Sequence, residues 1–212
     1  MKEDPYKNSA RKYDFFVEPF NKTLRQIGIG LHPPVAGMNV LDVGCGTGTT
    51  LTHYQKAGCN VFGIDSSPAM LSVSKTKLGS GTNLRLGDAS NMEYPSGFFD
   101  MVITMMTLHE IPHTARLKVF DEMIRVLKKD GRILIIDYHP SDLIFPKGWM
   151  HKSVIFFFET MAGSEHFKNF RDFITTEGIP GMVEGRNIDI EKRKIVSSGN
   201  LGIFLLRLNE TD

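Results

Sequence analysis

The sequence predicts an α/β fold in which a mostly parallel sheet is covered by helices on both faces. Short apolar runs alternate with stretches of helical spacing along the 212 residues, and a glycine-rich segment directly follows the first apolar run. Such alternation requires crossover connections, which make successive strands parallel. A chain of this length forms one domain whose core is large enough to fold without disulfides or metal.

Apolar runs place seven strands, and helical periodicity places the segments around them. A helix is expected first, at about residues 10–28. Five strands follow at residues 39–43, 60–64, 84–86, 98–104 and 132–136, with helices at 49–56, 68–77 and 115–129. Ser67 before Pro68 is typical of a helix start, and Lys128-Lys129-Asp130-Gly131 of a helix end. Beyond Asp137, an aromatic-rich helical stretch at about 145–174 precedes two strands at 188–196 and 201–208, joined by a hairpin turn at 197–200.

Composition excludes several classes of protein. The 25 Lys and Arg residues nearly balance the 24 Asp and Glu residues, whereas a protein that binds a nucleic acid backbone needs clustered positive charge. Cys45 and Cys59 are too few for a disulfide framework, and no apolar run approaches the roughly 18 residues that span a bilayer. We therefore expect a cytoplasmic protein without a transmembrane segment.

The segment Leu41-Asp42-Val43-Gly44-Cys45-Gly46-Thr47-Gly48 follows a strand and opens a helix. Glycines let a ligand approach the backbone, and a helix start offers free N–H groups. Asp42 would repel a pyrophosphate but attract an ammonium or sulfonium. Asp65, at the end of the second strand, is placed to accept hydrogen bonds from a ribose, and Asp88, after the third, from an adenine amino group. S-adenosylmethionine fits these three acids, whereas NAD fits poorly.

Residues 40–48 and 63–71, Gly87-Asp88-Ala89, and residues 98–102 and 126–133 together resemble class I S-adenosylmethionine-dependent methyltransferases. The resemblance is nearest to the broad small-molecule group that includes quinone-biosynthesis C-methyltransferases. It implies a Rossmann-like three-layer sandwich whose seven-stranded sheet has the order 3-2-1-4-5-7-6, with the last strand antiparallel. It also implies cofactor-binding roles for Tyr13, Asp42, Gly44, Cys45, Gly46, Gly48, Asp65, Ser66, Met70, Asp88, Ala89, Thr104 and Met105.

The same resemblance divides the single domain, residues 1–212, into four parts. Residues 1–36 would form N-terminal lid helices, with Tyr13 or Tyr6 facing the cofactor, and residues 37–137 the cofactor-binding core. Residues 138–180 would form a helical insertion on the acceptor side, and residues 181–212 the closing strands. Cys45 is interpreted as a packing residue rather than a reactive thiol, and Asp100 as a structural residue at the start of its strand.

Candidate catalytic groups follow the fourth and fifth strands. His109 is the first candidate to face a methyl acceptor, and Tyr138 or His139 is the second, although for any single one of them a polar residue that caps a helix or satisfies loop backbone is the favoured explanation. A close Glu110 would raise the pKa of a histidine. No set of metal ligands is apparent, so none is expected. Met105-Met106-Thr107-Leu108 differs from the Asn/Asp-Pro-Pro-aromatic motif of enzymes that methylate nucleic acid bases, and a nucleic acid substrate is not expected.

Residues 145–173 are rich in aromatic side chains, which we expect mostly to pack on the sheet edge. Some of these rings could instead line an apolar acceptor pocket, and a weaker alternative is a peripheral membrane face around Lys147, Trp149 and Lys152. The expected function is transfer of the S-adenosylmethionine methyl group to a small apolar or aromatic acceptor. A non-catalytic S-adenosylmethionine-binding regulator and a nicotinamide-dependent oxidoreductase are the alternatives. The oligomeric state is not indicated.

Overall fold

A seven-stranded sheet forms the centre of the computed structural model, which describes residues 4, 6, 7, 9–140, 142 and 144–209. The spatial order is β3-β2-β1-β4-β5-β7-β6. Strands β1 to β5 are parallel, and β7 runs antiparallel to both β5 and β6. The predicted fold class and strand order are therefore confirmed. The strands are β1 Asn39–Val43, β2 Asn60–Asp65, β3 Asn83–Leu86, β4 Phe99–Met105, β5 Leu127–Tyr138, β6 Ile188–Val196 and β7 Leu201–Leu208.

Helices cover both faces of this sheet, as the apolar character of the central strands requires. One face carries buried side chains of α1, α2 and α3, and the other carries those of α4, α6 and α7. The helices are α1 Ala10–Leu31, α2 Thr49–Lys56, α3 Pro68–Leu78, α4 His113–Val126, α5 Lys147–Met161, α6 Ser164–Thr175 and α7 Gly178–Val183, with short 3-10 helices at Leu108–Glu110 and Ser197–Gly199. Within the described ranges, no helix combines the length and apolar character needed to cross a membrane.

The strand order reverses direction between β1 and β4. Val40 of β1 pairs with Met101 of β4 on one side and with Val61 of β2 on the other. The carboxyl ends of these parallel strands meet at one edge of the sheet, where open α/β folds bind their ligands. The glycine loop after β1 and the segment after β4 therefore face each other across this edge.

Two sequence predictions differ from the structure. Helix α4 ends at Val126 rather than at residue 129, because Leu127 is already extended and Val126 accepts a backbone hydrogen bond from Phe98. The aromatic residues are only partly covered. Phe170 and Phe173 are buried, but Phe145, Trp149, Phe157 and Phe158 are 59–81% exposed. Helix α5 packs mainly on α6 and on the 3-10 helix Ser197–Gly199, and no other described helix or strand covers its outer side.

Candidate active site

The glycine loop adopts a backbone conformation with positive φ, which residues other than glycine rarely adopt. Gly44, Gly46 and Gly48 have φ of 72°, 51° and 75°. The Gly44 and Cys45 N–H groups donate to the Ile64 carbonyl at 2.9 and 3.2 Å, which fixes the loop over β2. A Cβ on Gly44 would lie 2.4 Å from the Thr107 methyl, so the loop contacts the segment after β4 directly. A Cβ on Gly46 would meet nothing within 4 Å, which leaves open space beside the loop.

Asp65 lies where the sequence predicts a ribose-binding acid. Its Oδ2 accepts from the Gly46 N–H at 2.7 Å, and its Oδ1 accepts from the Ser67 N–H at 2.8 Å. Each carboxylate oxygen keeps a further lone pair, so both can also accept from ligand hydroxyls. Burial raises the pKa of Asp65, and these backbone hydrogen bonds work against that rise.

Asp42 is buried at the end of β1, only 3% exposed. Burial raises its pKa to about 8, while Arg25 acts to lower the value and Asp65 to raise it. A cation bound beside it would favour the carboxylate form. Burial, reinforced by Asp42 and Asp65, likewise raises the pKa of the Cys45 thiol, and a protonated buried thiol is unreactive. Cys45 therefore acts as a packing residue.

The other residues expected around the cofactor lie on neighbouring strand ends. Met70 is buried in the first turn of α3, whereas Ser66 just before that helix is exposed. Asp88 is exposed after β3, where its carboxylate accepts from the Ser90 N–H at 2.8 Å. The hydroxyl of Thr104 is buried without a hydrogen-bond partner in the described part of the chain. Ala89 and Met105 are partly buried.

The N-terminal segment lies across the carboxyl edge of the sheet. The Asp4 carboxylate accepts from the Ser67 hydroxyl at 2.9 Å and from the Ala69 N–H at 3.1 Å, at the start of α3. The Asp14 carboxylate accepts from the Thr47 hydroxyl at 2.6 Å, within the glycine loop. Residues 1–3, 5 and 8 of the expected lid lie outside the described residues.

Two tyrosines of this segment point toward the same edge. The Tyr6 hydroxyl donates to Glu110 at 3.2 Å, and the Tyr6 and Tyr13 rings pack edge to face at 5.9 Å. Burial and then Glu110 raise the pKa of Tyr13 to about 12. The segment thus connects the glycine loop with the residues that follow β4.

His109 is buried beside Asp137. Its Nδ1 lies 2.6 Å from Asp137 Oδ1, and the Asp137 carboxylate also accepts from the N–H groups of Leu108 and Tyr138 at 2.9 and 2.8 Å. Burial acts to lower the pKa of His109, but Asp137, Glu110 and Glu159 raise it to about 9. The imidazole is therefore protonated at neutral pH and is held in one orientation.

The opposite side of the ring faces two further carboxylates. His109 Nε2 lies 3.9 Å from Glu110 Oε1 and 3.9 Å from Glu159 Oε1. The Tyr138 hydroxyl donates to Glu159 Oε1 at 2.8 Å, and His166 Nε2 lies 2.7 Å from Glu159 Oε2. These residues form what we call the acceptor-side cluster, made up of His109, Glu110, Asp137, Tyr138, Glu159 and His166.

The cluster has more negative than positive groups. His109, Glu159 and His166 each offer a ligand atom within 4.8 Å of the others, which is the spacing of a possible metal site. The two Glu159 oxygens already lie beside the Tyr138 hydroxyl and His166 Nε2, and these contacts together with His109 hold the pKa of Glu159 below its usual value despite burial. These contacts join Glu159, His109, Tyr138 and His166 into one network of ion pairs and hydrogen bonds.

Sequence reasoning found His109 and Tyr138 but missed Asp137, Glu159 and His166 as members of the cluster. Glu159 had a signal, because it is the only acid in the apolar helix α5. His139 does not join the cluster. Its ring packs against Phe204 at 5.4 Å, its Nδ1 has no hydrogen-bond partner in the described residues, and burial with the nearby Arg193 lowers its pKa.

Two cavities are present, one beside the acceptor-side cluster and one at the opposite edge of the sheet. A cavity of about 40 Å³ lies between the end of β5 and helices α5 and α6, lined by Tyr138, His139, Lys152, Ile155, Phe156 and Phe170. A larger hollow of about 290 Å³ lies at the opposite, amino edge of the sheet between Gln55 and Asn83, away from the glycine loop. Only the smaller cavity adjoins the acceptor-side cluster.

Comparison with known proteins identifies the family. A methyltransferase domain profile matches residues 40–131. The chain is 31% identical over 198 residues to the phosphatidylethanolamine N-methyltransferase of Cereibacter sphaeroides, spanning 91% of this chain and 90% of that protein. The chain belongs to the S-adenosylmethionine-dependent methyltransferases. This methyltransferase is also 33% identical over 137 residues to the demethylmenaquinone methyltransferase of Renibacterium salmoninarum, spanning 62% of this chain and 56% of that protein.

The fold agrees with this assignment. An S-adenosylmethionine-dependent methyltransferase from Aquifex aeolicus superimposes with a TM-score of 0.64 and 20% identity, covering 98% of this chain and all of that one. The cofactor of the methyltransferase is therefore S-adenosylmethionine, and the oxidoreductase and non-catalytic alternatives are not retained. The residues present fit this group, because the open space at Gly46 adjoins the Asp65 carboxylate and the buried Asp42 suits a cation.

Proposed function

We propose that the methyltransferase methylates an amine nitrogen carried on an apolar, lipid-like molecule. The observation that carries the proposal is the acceptor-side cluster, which surrounds His109 with the carboxylates of Glu110, Asp137 and Glu159. The cluster follows β4 and β5 and is joined to the glycine loop through the contact between Gly44 and Thr107. An acceptor bound there would lie beside the cofactor.

The charge of the cluster favours a cationic acceptor. An ammonium group would be attracted by Glu110 and Glu159, whereas a phenolate or enolate would meet carboxylates at short range. The phosphatidylethanolamine N-methyltransferase of Cereibacter sphaeroides, which matches over nearly its full length, supports an amine on a lipid. The demethylmenaquinone methyltransferases match a shorter part of this chain.

The chemistry requires that the amine lose a proton before it attacks. S-adenosylmethionine supplies an electrophilic methyl group on a positively charged sulfur. Glu110 is partly buried, and burial raises its pKa even though His109, His166 and Tyr6 act to lower it. A carboxylate with a raised pKa is suited to take the ammonium proton. With the cofactor bound, transfer would form the nitrogen–carbon bond and break the methyl–sulfur bond, and Glu110 would keep the proton.

The remaining residues orient the reactants and exclude water. Asp137 holds the His109 ring, and the hydroxyl of Tyr6 bonds Glu110 from the N-terminal segment. This supports residues 1–36 as a lid and residues 138–180 as the wall of the acceptor site, since α5 and α6 contribute Glu159 and His166. Alignment and exclusion of water are the main contributions of an enzyme to an in-line displacement.

A second candidate is methylation of a small aromatic ring. It is favoured by the cavity of about 40 Å³ between Tyr138, Ile155, Phe156 and Phe170, whose lining is largely apolar. A flat ring would pack on these side chains, and the demethylmenaquinone methyltransferases among the relatives fit such an acceptor. The carboxylates of the cluster make this candidate the weaker one.

The two candidates separate in an acceptor assay with methyl-labelled S-adenosylmethionine. Phosphatidylethanolamine in mixed micelles should be labelled, and a demethylated naphthoquinol should not. Glu110→Gln should lower turnover of phosphatidylethanolamine by about 10²-fold, the range for loss of a general base. Glu93→Gln, the same change at an exposed position, is the matched control and should behave as wild type. Labelling of the quinol alone, or an unaffected Glu110→Gln enzyme, would contradict the proposal.

A further inference from the structure

The outer side of helix α5 is covered with large apolar side chains that nothing in the described structure buries. Trp149, Met150, Val154, Phe157, Phe158 and Met161 are 50–72% exposed, and we call them the α5 face. At 100° per residue these positions fall on one side of the helix. Monomeric soluble proteins rarely expose such a large contiguous apolar patch without a binding role.

Two hydroxyl side chains on this part of helix α5 form hydrogen bonds within their own helix. The hydroxyls of Ser153 and Thr160 donate to the carbonyls of Trp149 and Phe156 on their own helix, at 3.0 and 2.6 Å. Their hydrogen-bonding capacity is therefore largely met within the helix. Neither hydroxyl hydrogen therefore needs water as a hydrogen-bond acceptor.

The lysines of the helix are its only charged side chains that reach solvent. Lys147 at its start is exposed, and Lys152 is partly buried beside the inner cavity, 6.0 Å from the centre of the Trp149 ring. The only acid of the helix, Glu159, is 6% exposed and turned inward to the acceptor-side cluster. Asp142 is an exposed acid that precedes the helix. An apolar helix face bordered by lysines is typical of helices that lie in the interface of anionic membranes.

We propose that the α5 face docks the methyltransferase on an anionic phospholipid surface. The aromatic and aliphatic side chains would enter the headgroup region, and the lysines would face the lipid phosphates. The proposal concerns membrane binding alone and does not depend on which acceptor is methylated.

The docked orientation has a consequence for the active site. Helix α5 carries the membrane-facing side chains on its outer side and Glu159 on its inner side, so the acceptor-side cluster lies about one helix diameter, roughly 10 Å, from the lipid surface. The cavity beside Tyr138 is lined by Lys152, Ile155 and Phe156 of the same helix. An amphiphilic acceptor would therefore have a short path from the bilayer to the cluster.

Co-sedimentation with vesicles tests the proposal without turnover. Wild-type protein should bind phosphatidylcholine vesicles that contain 30% phosphatidylglycerol more tightly than pure phosphatidylcholine vesicles. The double variant Phe157→Ser, Phe158→Ser should bind at least tenfold more weakly, and Lys147→Glu should lose the preference for anionic vesicles. Val35→Ser, an apolar-to-polar change at a 61% exposed position beside the amino edge of the sheet, should bind as wild type.

Folding and association are checked on the same variants. The double variant should keep the circular dichroism spectrum and S-adenosylmethionine affinity of wild type, because both phenylalanines are exposed. Two outcomes would overturn the proposal. One is absence of wild-type binding to either vesicle. The other is a wild-type dimer that the double variant converts to a monomer, which would show that a second copy covers the α5 face.

Discussion

The buried Asp42 should make cofactor affinity depend on pH. Burial raises its pKa to about 8 in the free protein, whereas a bound cation favours the carboxylate. Cofactor binding below pH 8 must therefore release a proton. The ionised fraction of Asp42 is about 1% at pH 6 and one half at pH 8, so the dissociation constant should fall about 50-fold over that range. Asp65, whose pKa burial also raises, adds to the trend in the same direction.

Titration calorimetry of S-adenosylmethionine at pH 6, 7 and 8 measures this change directly. Asp42→Asn should remove most of the pH dependence and bind weakly at pH 8. Asp100→Asn is the matched control, since Asp100 lies at the start of β4, accepts from the Asn39 N–H at 2.8 Å and pairs with Lys128. 5′-Methylthioadenosine, which has a ribose for Asp65 but no positive charge for Asp42, should show a much smaller pH dependence than S-adenosylmethionine. Cofactor affinity that is independent of pH in the wild type would contradict this prediction.

Three further predictions concern the loop, the histidine and the lid. In Gly44→Ala the new Cβ would lie 2.4 Å from the Thr107 methyl, so this variant should lose cofactor binding and have a lower melting temperature. Gly81→Ala, where a Cβ would meet nothing within 4 Å, should change neither property, and equal melting temperatures for the two variants would contradict the prediction. The His109 ring should titrate by NMR with a pKa of about 9 because Asp137 stabilises its protonated form, and a midpoint at 6.5 or below would be inconsistent. Asp14→Asn would remove the ion pair with Lys77, and it should weaken cofactor affinity in calorimetry about three- to tenfold, which corresponds to the free energy of one partly exposed charged contact. Unchanged affinity would exclude a lid role for this residue.

The placement of the glycine loop, Asp42 and Asp65 at neighbouring strand ends could be predicted from sequence because its signals are local. Asp42, the three loop glycines and Asp65 each lie at a fixed position relative to a strand end, and the fold brings parallel strand ends together. The Asp65 carboxylate indeed joins the loop and the start of α3 through two backbone hydrogen bonds. The full strand order, in contrast, depended on the family resemblance rather than on periodicity.

The acceptor side could not be predicted in the same way. Glu159 and His166 lie on different helices, and their contact depends on how α5 and α6 pack, which the sequence pattern does not specify. The charged segment 128–131 has the composition of a helix end, but pairing of β5 with its neighbours extends the strand back to Leu127. Tertiary contacts here override local propensity.

The aromatic stretch illustrates a further limit. The aromatic composition of residues 145–173 indicates that rings pack against the protein, but it does not indicate which of them are buried. Phe170 and Phe173 of α6 are buried on the sheet, whereas Phe157 and Phe158 of α5 are exposed because no described element covers the outer side of that helix. One aromatic-rich stretch therefore contributes side chains both to the hydrophobic core and to the exposed α5 face.

Methyl transfer to an amine nitrogen beside the acceptor-side cluster can be observed directly. The measurement is an NMR spectrum of the product formed from phosphatidylethanolamine and S-adenosylmethionine that carries a ¹³C-labelled methyl group. We expect the label at the position of an N-methyl group, and we expect it to accumulate about 10²-fold more slowly when Glu110 is changed to glutamine. A labelled methyl group on carbon or oxygen of another acceptor, with none on the phosphatidylethanolamine nitrogen, would contradict this expectation.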